Sequence, residues 1–459
     1  MAMEDSYDVL VIGGGVVGLT ILRFATLKGW KCALVEAEPD LLTWASGSNS
    51  GIACTGVDAS PGTLERALIR DSVSRVRPFC RDHNIPTRPR GSLVCQWPWD
   101  STTEALQHVL QESHDAGDTH ASILSAQQVQ ALEPNLSKNC RGAVHIPGEI
   151  VVDPWLFSIA YAVHARENGA TIYTHWKFDP QKSFFDGNTW TAVRESSLST
   201  DTGPSVLKAK TIVNATGLWS DEIQSKLHQN NPQQSAASSS NNQWTAKPRR
   251  GQYLLFQSTP RTRIVHPIQP VPTQRTKGIF VFSTLYDQIV VGPTALDQES
   301  KTNRQVDPTV AKELARYAQK IIAGLDPQAS YVGSYVGIRP GTDKRDYQIH
   351  TSPALHYVAA AGIRSTGLTA SLGIGRHICH LLGSFLSEPT TATIRTTPLP
   401  NVATLVQQYH QRGDQTVCIQ GHIYKVTHPL TKFGWERQSG LADTHTAGNN
   451  VIMDASSKL

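Results

Sequence analysis

Residues 7–36, YDVLVIGGGVVGLTILRFATLKGWKCALVE, decide the fold of this chain. Residues 8–12 are apolar, rich in β-branched side chains and followed by a glycine turn, a pattern that predicts a short buried strand. Residues 16–28 carry apolar side chains at helical spacing with a glycine just beyond them, which predicts a helix. The apolar run 32–35 then predicts a second strand. Strand, glycine turn, helix and strand in this order are typical of a βαβ dinucleotide-binding unit.

The glycine turn fits the pattern G-x-G-x-x-G through Gly13, Gly15 and Gly18. The first glycine allows the tight turn, the second lets the backbone approach a pyrophosphate, and the third lets helix and strand pack closely. The helix N-terminus offers free N–H groups and partial positive charge to the phosphates. Glu36, 18 residues after Gly18, is placed to accept hydrogen bonds from a ribose 2′-OH. An acid at this place disfavours a 2′-phosphate and therefore NADP.

Length, charge and cysteine content limit the possible classes of protein. The 459 residues are enough for two or more domains. The net charge of +4 is small and the arginines are scattered, so we expect no nucleic-acid partner. The seven cysteines have no metal-ligand spacing, and an odd number is typical of reduced intracellular thiols. The apolar run 9–22 is too short to span a bilayer, so we expect no transmembrane segment and no secretory leader.

The chain ends with Ser457, Lys458 and Leu459. A C-terminal Ser-Lys-Leu is the address read by the peroxisomal import receptor. Residues 444–457 are polar and are expected to present this tripeptide to a receptor. The sequence therefore predicts import into a peroxisome or a related organelle.

Three further stretches have the composition of loops that pass close to a cofactor. Residues 41–56, LLTWASGSNSGIACTG, are rich in small residues that let the backbone approach a ligand. A predicted strand over 211–214 leads into small residues and a new helix start, and the strand 357–361 leads into the glycine loop GIRSTG. In contrast, residues 229–243, QNNPQQSAASSSNNQ, are predicted to form a disordered surface loop without chemistry.

Further helices and strands are predicted from periodicity and helix-start signals. Asp153 and Pro154 mark a helix start as N-cap and first-turn residue, and Ser125 is a second candidate cap. The predicted helices cover residues 63–77, 102–116, 153–168, 310–325 and 368–382. The predicted strands cover residues 93–97, 171–173, 190–193, 252–257, 279–283, 288–292, 331–339 and 347–350.

Seven segments, in order over residues 7 to about 380, resemble the D-amino-acid-oxidase-like class of FAD-dependent oxidoreductases. Within that class the chain is most similar to the FAD-dependent glycerol-3-phosphate dehydrogenase and L-2-hydroxyglutarate dehydrogenase groups. The segments are VLVIGGGVVGLTIL, SGSNSGIACTGVDASPGTLE, TIVNATGLWSDEI, IQPVPTQRTKGIFVFS, VVGPTALD, YVGIRPGTDKRDYQI and AAGIRSTGLTAS.

The resemblance implies an α/β fold with FAD as cofactor. A Rossmann-type FAD-binding domain of the glutathione-reductase-like, D-amino-acid-oxidase class would be joined to a substrate domain with a mixed or antiparallel sheet. The FAD-binding domain would be discontinuous over residues 7–80, 146–225 and 331–400, with the substrate domain over 81–145 and 244–330. Residues 226–243 would form the disordered insertion, and residues 401–459 a C-terminal extension carrying the peroxisomal signal.

The same resemblance implies the residues that contact the cofactor. The flavin ring is expected between segments 49–56 and 362–369. The expected FAD contacts are Gly13, Gly15, Val16, Val17, Gly18, Glu36, Ala37, Ser46, Ser50, Gly51, Ala215, Gly217, Gly337, Arg339, Gly362, Gly367, Leu368 and Thr369.

Three arginines are the predicted substrate contacts. Enzymes of this class take a hydride from a carbon bearing OH or NH, and an anionic substrate favours guanidinium groups. Arg339 in GIRP and Arg345 in RDY match arginines that look like phosphate contacts in the glycerol-3-phosphate dehydrogenases. Arg364 falls where that group often carries a basic residue beside the flavin. For each, the alternative is an ordinary surface or salt-bridge arginine.

The proton acceptor is left unassigned. The relatives usually carry His where this chain has Cys54, and one group also has Arg near Asp58; the chain departs from both. His is the side chain best suited to general-base work near neutral pH, whereas a small buried thiol is a packing residue. His266 and Tyr253 are candidates only. We expect no metal site, and residues 404–459 contain only Cys418, so they cannot form a four-thiolate cluster.

These observations predict an FAD-dependent dehydrogenase or oxidase of a small anionic 2-hydroxy compound, with glycerol 3-phosphate as the first guess. L-2-hydroxyglutarate, another 2-hydroxy acid or an amino acid is the alternative. Peroxisomal placement alone suggests oxygen as electron acceptor. A flavin-binding protein of low turnover is the alternative from a different class.

Overall fold

The computed structural model describes residues 6–100, 104–195, 203–230, 243–272, 278–389 and 393–438. The described helices are α1 Val16–Lys28, α2 Leu64–Asp82, α3 Ala105–Asp115, α4 Ala126–Leu132, α5 Pro154–Glu167, α6 Ser220–Asn230, α7 Pro308–Ile321, α8 Gly367–Leu382, α9 Val402–Arg412 and α10 Pro429–Gln438. The described strands are β1 Ser6–Ile12, β2 Cys32–Val35, β3 Ile52–Ala53, β4 Thr87–Arg88, β5 Ser92–Gln96, β6 Ser122–Ser125, β7 Gly142–Ile146, β8 Ile150–Val152, β9 Thr171–Tyr173, β10 Phe184–Phe185, β11 Trp190–Val193, β12 Val206–Asn214, β13 Ala246–Gln257, β14 Ile268–Pro270, β15 Phe280–Ser283, β16 Gln288–Gly292, β17 Leu296–Asp297, β18 Tyr331–Thr342, β19 Gln348–Ser352, β20 Tyr357–Ala361, β21 Thr416–Ile419 and β22 His422–Lys425.

The first sheet has a parallel centre. β9, β2, β1, β12 and β20 run parallel in this order, and β10–β11 and β19 extend the sheet antiparallel. Ile12 at the end of β1 pairs with Val35 on one side and with Asn214 on the other. The carboxyl ends of the central strands are therefore level, and in open α/β sheets a ligand binds beyond that edge.

Helices cover this sheet because its central strands are almost entirely apolar. Residues Cys32–Val35 of β2 are all buried, and β20 is buried throughout. α1, α5 and α8 pack against one another and contribute to one large apolar cluster with these strands. Strands buried on both faces show near-continuous apolar runs rather than alternation, as the sequence has here.

The second sheet is mixed and mostly antiparallel. Its order is β17–β13–β16–β15–β14–β5–β7–β6, and β18 pairs with β13 along a ladder from Ala246 to Phe256. α7 packs on one face, and the apolar side chains between them form a separate core. The α/β fold with a mixed second sheet is thus confirmed.

The helix starts follow local side-chain chemistry. Asp153 accepts a hydrogen bond from the Leu156 backbone N–H at 2.7 Å, with proline at the first position of α5. Ser125 and Gln128 form a reciprocal capping box at α4. These two predictions were made from residue order alone and are confirmed, because a cap needs only its own helix.

The strands of residues 331–361 are shared between the two sheets, whereas the predicted domains place this whole range in one domain. The strand β18, which begins at Tyr331, pairs in the second sheet, although residues 331–400 are predicted to belong to the FAD-binding unit. The first sheet takes β19 and β20 from the same range. Most of the predicted insertion and residues 439–459, with the terminal tripeptide, lie outside the described residues.

Residues 402–438 form what we call the carboxyl-terminal module. It consists of α9, the hairpin β21–β22 and α10, and it packs against α5 and β18. None of the helices described is long and apolar enough to cross a bilayer. All seven cysteines are described and none of them forms a disulfide, and no metal-binding group of acids, histidines or thiols occurs among the described residues.

Candidate active site

The turn after β1 is built for close approach of two backbones. Gly13 has φ +111°, and a Cβ on it would lie 2.6 Å from the Ala215 carbonyl oxygen. A Cβ on Gly18 would lie 1.9 Å from the Gly13 carbonyl oxygen. The Ala215 N–H donates to the Ile12 carbonyl at 2.9 Å, so the two predicted cofactor loops touch at the end of the parallel strands.

The start of α1 is left open for an anion. Gly15 is the N-cap and has no side chain to cap the helix. The Val16 N–H donates to Ser46 Oγ at 2.9 Å, which joins the helix start to the loop 45–51. Val17 and Gly18 continue the first turn. A glycine N-cap with dipole and N–H groups facing out of the fold fits a dinucleotide pyrophosphate.

Glu36 closes the cradle at the end of β2. Its carboxylate accepts hydrogen bonds from the Gly14 N–H at 2.5 Å and from the Glu38 N–H at 2.8 Å, and Ala37 beside it is exposed. Burial raises the pKa of Glu36, and these backbone donors oppose the rise. The acid is thus fixed at the position where a ribose hydroxyl binds in such folds.

The remaining predicted cofactor residues surround the same edge. Gly217 and Gly362 take left-handed backbone conformations, with φ +57° and +67°. Gly367 and Leu368 open α8, and the Thr369 hydroxyl accepts from the Cys54 N–H at 3.2 Å. Each of these contacts with FAD remains a prediction, and the structure gathers the residues around one edge of the first sheet.

A cavity of about 590 Å³ lies beside this edge, between the loop 45–54, the loop after β20 and the ribbon of β13 and β18. The predicted residues Ser50, Gly337, Arg339, Arg364 and Thr369 line it. A Cβ on Gly337 would lie 2.7 Å from Ser48 Oγ, so β18 passes directly over the loop. The cavity is therefore walled by the second sheet and by loops at the edge of the first sheet.

Arg339 is a half-buried cation of the cavity. Its Nη2 donates to the Thr294 carbonyl at 3.0 Å and its Nη1 approaches the Arg250 carbonyl at 3.5 Å. Desolvation lowers the pKa of Arg339, an effect that Tyr253 opposes and Arg249 reinforces. Within the described part of the chain no carboxylate lies within 4.0 Å of its guanidinium. A guanidinium that lines a cavity without a carboxylate partner favours an anionic ligand.

Arg364 also lines the cavity, but it has a partner. Its Nη2 lies 3.3 Å from Glu65 Oε2 and also donates to the Arg345 carbonyl. Glu65 Oε1 accepts from the Thr366 hydroxyl at 2.6 Å. Glu65 thus ties α2 to the loop before α8.

The structure does not bring Arg345 to the cavity. Its side chain is exposed, and it is not among the lining residues. The substrate role of Arg345 stays a prediction without support from this placement.

Of the three candidate proton acceptors, Cys54 and Tyr253 line the cavity and His266 does not. Cys54 lines the cavity, with its Sγ 3.5 Å from Thr369 Oγ1. Tyr253 also lines it, stacks on Tyr335 with ring centroids 4.4 Å apart, and has a pKa raised to about 12 by burial. His266 lies elsewhere and bonds through Nδ1 to Glu133 at 2.6 Å, both residues being buried.

Sequence reasoning missed the acidic groups of the cavity. Glu65, Glu149 and Asp297 line it, and Glu149 accepts from the Ser92 hydroxyl at 2.5 Å and from Gln269 at 2.6 Å. Gln269 lies in a segment that carried the resemblance, which was a usable signal. Asp297 also ends such a segment, VVGPTALD, whereas Glu149 lies beside a turn and carries no pattern of its own.

A dinucleotide cradle at the edge of a parallel sheet, opening into a cavity under a second sheet, defines a dinucleotide-dependent oxidoreductase. The sequence matches the DAO family profile, described as FAD dependent oxidoreductase, over residues 8–381. The chain therefore belongs to the DAO family of FAD-dependent oxidoreductases, and FAD is its cofactor.

Named relatives agree with this assignment. The chain is 29% identical over 378 residues to a glycerol 3-phosphate dehydrogenase of Caloramator mitchellensis, covering 82% of this chain and 74% of the relative. It is 24% identical over 304 residues to a mitochondrial L-2-hydroxyglutarate dehydrogenase of Nematostella vectensis, covering 64% and 63%. An FAD-bound, dithionite-reduced L-alpha-glycerophosphate oxidase structure from Mycoplasma pneumoniae has a TM-score of 0.74 at 24% identity, covering 87% of this chain and all of the other.

Proposed function

We propose that this enzyme oxidises a small anionic 2-hydroxy compound, with glycerol 3-phosphate as the first candidate. The observation that carries the proposal is Arg339, a half-buried guanidinium that lines the cavity and has no carboxylate partner among the described residues. The similarity to a relative named glycerol 3-phosphate dehydrogenase supports the same candidate.

The reaction removes a hydride from the carbinol carbon and a proton from its hydroxyl, which leaves a carbonyl. Bound FAD supplies the two-electron acceptor. Arg339 binds the anionic group and thereby orients the carbinol carbon, because a planar guanidinium fixes direction as well as distance. Cys54 and Glu65 line the cavity, and a thiolate or a carboxylate at these positions would receive the hydroxyl proton.

A 2-hydroxy acid is the second candidate substrate. Three arginines line the cavity; Arg364 is paired with Glu65 and Arg249 with Asp297, so the Arg339 guanidinium is left for the substrate. A single carboxylate forms a bidentate pair with a single guanidinium, whereas a phosphate dianion gains from a second cation. The relative named L-2-hydroxyglutarate dehydrogenase supports this class.

The cell compartment and the electron acceptor are proposed from the terminal tripeptide. Ser457, Lys458 and Leu459 support peroxisomal import. Oxygen as acceptor, with hydrogen peroxide as product, rests on that location.

Anaerobic reduction of the bound flavin tests the substrate. The purified, FAD-loaded enzyme is mixed without oxygen with glycerol 3-phosphate, L-2-hydroxyglutarate, a monocarboxylic 2-hydroxy acid and an amino acid. We expect the visible flavin band to bleach with glycerol 3-phosphate or with one of the 2-hydroxy acids. Bleaching by the amino acid alone would refute the substrate class, and no bleaching by any compound would favour a flavin-binding protein of low turnover.

A further inference from the structure

The carboxyl-terminal module lies beyond the residues matched by the family, yet it contacts the cofactor side of the fold. Trp155 Nε1 of α5 donates to the Lys425 carbonyl at 3.1 Å. The Thr427 hydroxyl donates to the Leu41 carbonyl at 3.2 Å, at the start of the loop that follows Glu36. The module is therefore seated on the elements that form the cradle.

A buried acid joins the module to α5 and to a turn of the second sheet. Asp153 caps α5 and also accepts from the Tyr286 hydroxyl at 2.6 Å and from the Thr431 hydroxyl at 3.0 Å. Trp435 Nε1 of α10 donates to the same Tyr286 hydroxyl at 2.8 Å. Tyr286 belongs to the turn between two strands of the second sheet, so the module fixes this turn against α5.

His428 extends the contact to the loop beside the cavity. The side chain is fully buried, and its Nδ1 accepts from the Leu430 N–H at 3.2 Å, which leaves the proton of the neutral ring on Nε2. Burial lowers the pKa of His428 to about 3, and the Asn49 carbonyl opposes this fall. Nε2 makes no hydrogen bond among the described residues, so the His428 ring acts on this loop through its packing rather than as a donor.

Tyr335 of β18 binds the Asn49 carbonyl. Its hydroxyl donates to the Asn49 carbonyl at 3.1 Å, and its ring meets the His428 ring edge to face at 6.1 Å. The Asn49 side chain accepts from the Gly51 N–H at 2.8 Å and donates to the Ser46 carbonyl at 2.8 Å. Asn49 is thus the central residue of the loop 46–51, and both Asn49 and Ser50 line the cavity.

We propose that the carboxyl-terminal module is a positioning element of the flavin site, in which the His428 ring packs against Tyr335, and Tyr335 holds the Asn49 peptide and so sets the path of residues 46–51 along the cavity. His428 is not among the residues that line the cavity, and it acts through Tyr335. The proposal rests on the FAD site and is independent of which substrate is oxidised.

Three full-length variants test the proposal without any substrate. His428→Ala removes the ring that packs against Tyr335, and His428→Phe keeps an aromatic ring at this place. His410→Ala is the matched control, since His410 contacts the Trp435 carbonyl within the module at 3.0 Å and does not pack on Tyr335. For each variant we would measure the FAD dissociation constant, the flavin absorption spectrum, the flavin reduction potential and the Tm.

We expect His428→Ala to weaken FAD binding about tenfold, because Tyr335 loses the ring it packs against and its hydrogen bond to the Asn49 carbonyl is loosened. Its spectrum and potential should also shift. His428→Phe should recover most of the affinity, and His410→Ala should lower only the Tm.

Equal FAD affinity, spectrum and potential in all three variants would overturn the proposal and leave the module a purely stabilising element. If His428→Ala does not fold, Tyr335→Phe removes the donor to the Asn49 carbonyl. Unchanged FAD affinity and potential in Tyr335→Phe would then refute the proposal equally.

Discussion

The guanidinium of Arg364 lies 3.3 Å from the carboxylate of Glu65, an ion pair between residues 299 positions apart in the sequence. The pair lies in the wall of the same cavity as Arg339, whose guanidinium donates, among the described residues, to the backbone carbonyls of Thr294 and Arg250. Of the three arginines that line the cavity, Arg364 and Arg249 are paired with carboxylates of the protein, and Arg339 is left for a ligand. This difference decides how each should respond to substitution.

Glu65→Gln should release Arg364 for the substrate. Because the pair is partly exposed, we expect the KM for glycerol 3-phosphate to fall about threefold relative to that for a monocarboxylic 2-hydroxy acid. Steady-state kinetics with both compounds measure the ratio. The control is Glu112→Gln. It breaks the ion pair between Glu112 and Arg66, and Arg66 lies on α2 beside Glu65. An unchanged ratio would show that Arg364 does not reach the substrate.

Arg339→Ala should raise the KM about tenfold or more while FAD stays bound, since a charge-assisted hydrogen bond to the substrate contributes about 1.5–3 kcal/mol. Arg345→Ala is the matched control, because that side chain is exposed and outside the cavity. If Arg345→Ala impaired turnover and Arg339→Ala did not, the assignment of the anion contact would be reversed.

Gly18→Ala should abolish FAD binding and lower the Tm. Its Cβ would lie 1.9 Å from the Gly13 carbonyl oxygen, so α1 and the glycine turn must separate. Flavin content per chain after purification and a thermal melt measure both effects. Gly203→Ala, whose nearest neighbour would be 3.9 Å away, should bind FAD normally. Full flavin content in Gly18→Ala would contradict the cradle described here.

Acid should destabilise the fold through a buried histidine pair. Burial lowers the pKa of His83 to about 3 and that of His164 to about 4, and their rings lie 4.6 Å apart beside Arg23. Both pKa values lie below the unfolded value of about 6.5, so the unfolded chain binds more protons and stability falls as the pH drops from about 6.5 toward 4.

Between pH 7 and pH 5 we expect each buried histidine to cost about 1–2 kcal/mol of unfolding free energy. Urea titrations at the two pH values measure this loss. His83→Phe should reduce the dependence on pH, and substitution of the exposed His120 by Gln should not. A pH dependence that His83→Phe leaves intact would exclude the pair as its source.

Deletion of Ser457–Leu459 should leave flavin content and turnover unchanged and move the protein to the cytosol. Fluorescence microscopy of amino-terminally tagged full-length and truncated chains checks the location. A truncated chain that still enters peroxisomes would remove the tripeptide as the address.

The parts of the fold that depend on neighbouring residues were predictable from the sequence. The glycine cradle, the Asp153 cap and the Ser125 capping box each need only a few residues in order. The family resemblance then predicted FAD as the cofactor, and Arg339 and Arg364 as cavity residues. The cradle and the two caps are each formed by residues that are close together in the chain, so composition and spacing suffice to predict them.

The rest depends on contacts that spacing cannot show. The partner of Arg364 is Glu65, on a helix at the other end of the chain, and the exposure of Arg345 follows from the turn that ends β18. His428 packs against Tyr335 only because the module folds back over α5. Long-range pairings of this kind are set by tertiary packing rather than by local propensity.

The ladder between β13 and β18 has a consequence for how such an enzyme diverges. It places Tyr253 and Arg339 on a single twelve-residue ribbon whose strands are fixed residue by residue. A shift of one position would turn every side chain on the ribbon to the opposite face. Changes of substrate specificity are therefore more readily made in segment 293–299, which also lines the cavity. Substitutions in that segment leave the pairing of β13 with β18 intact.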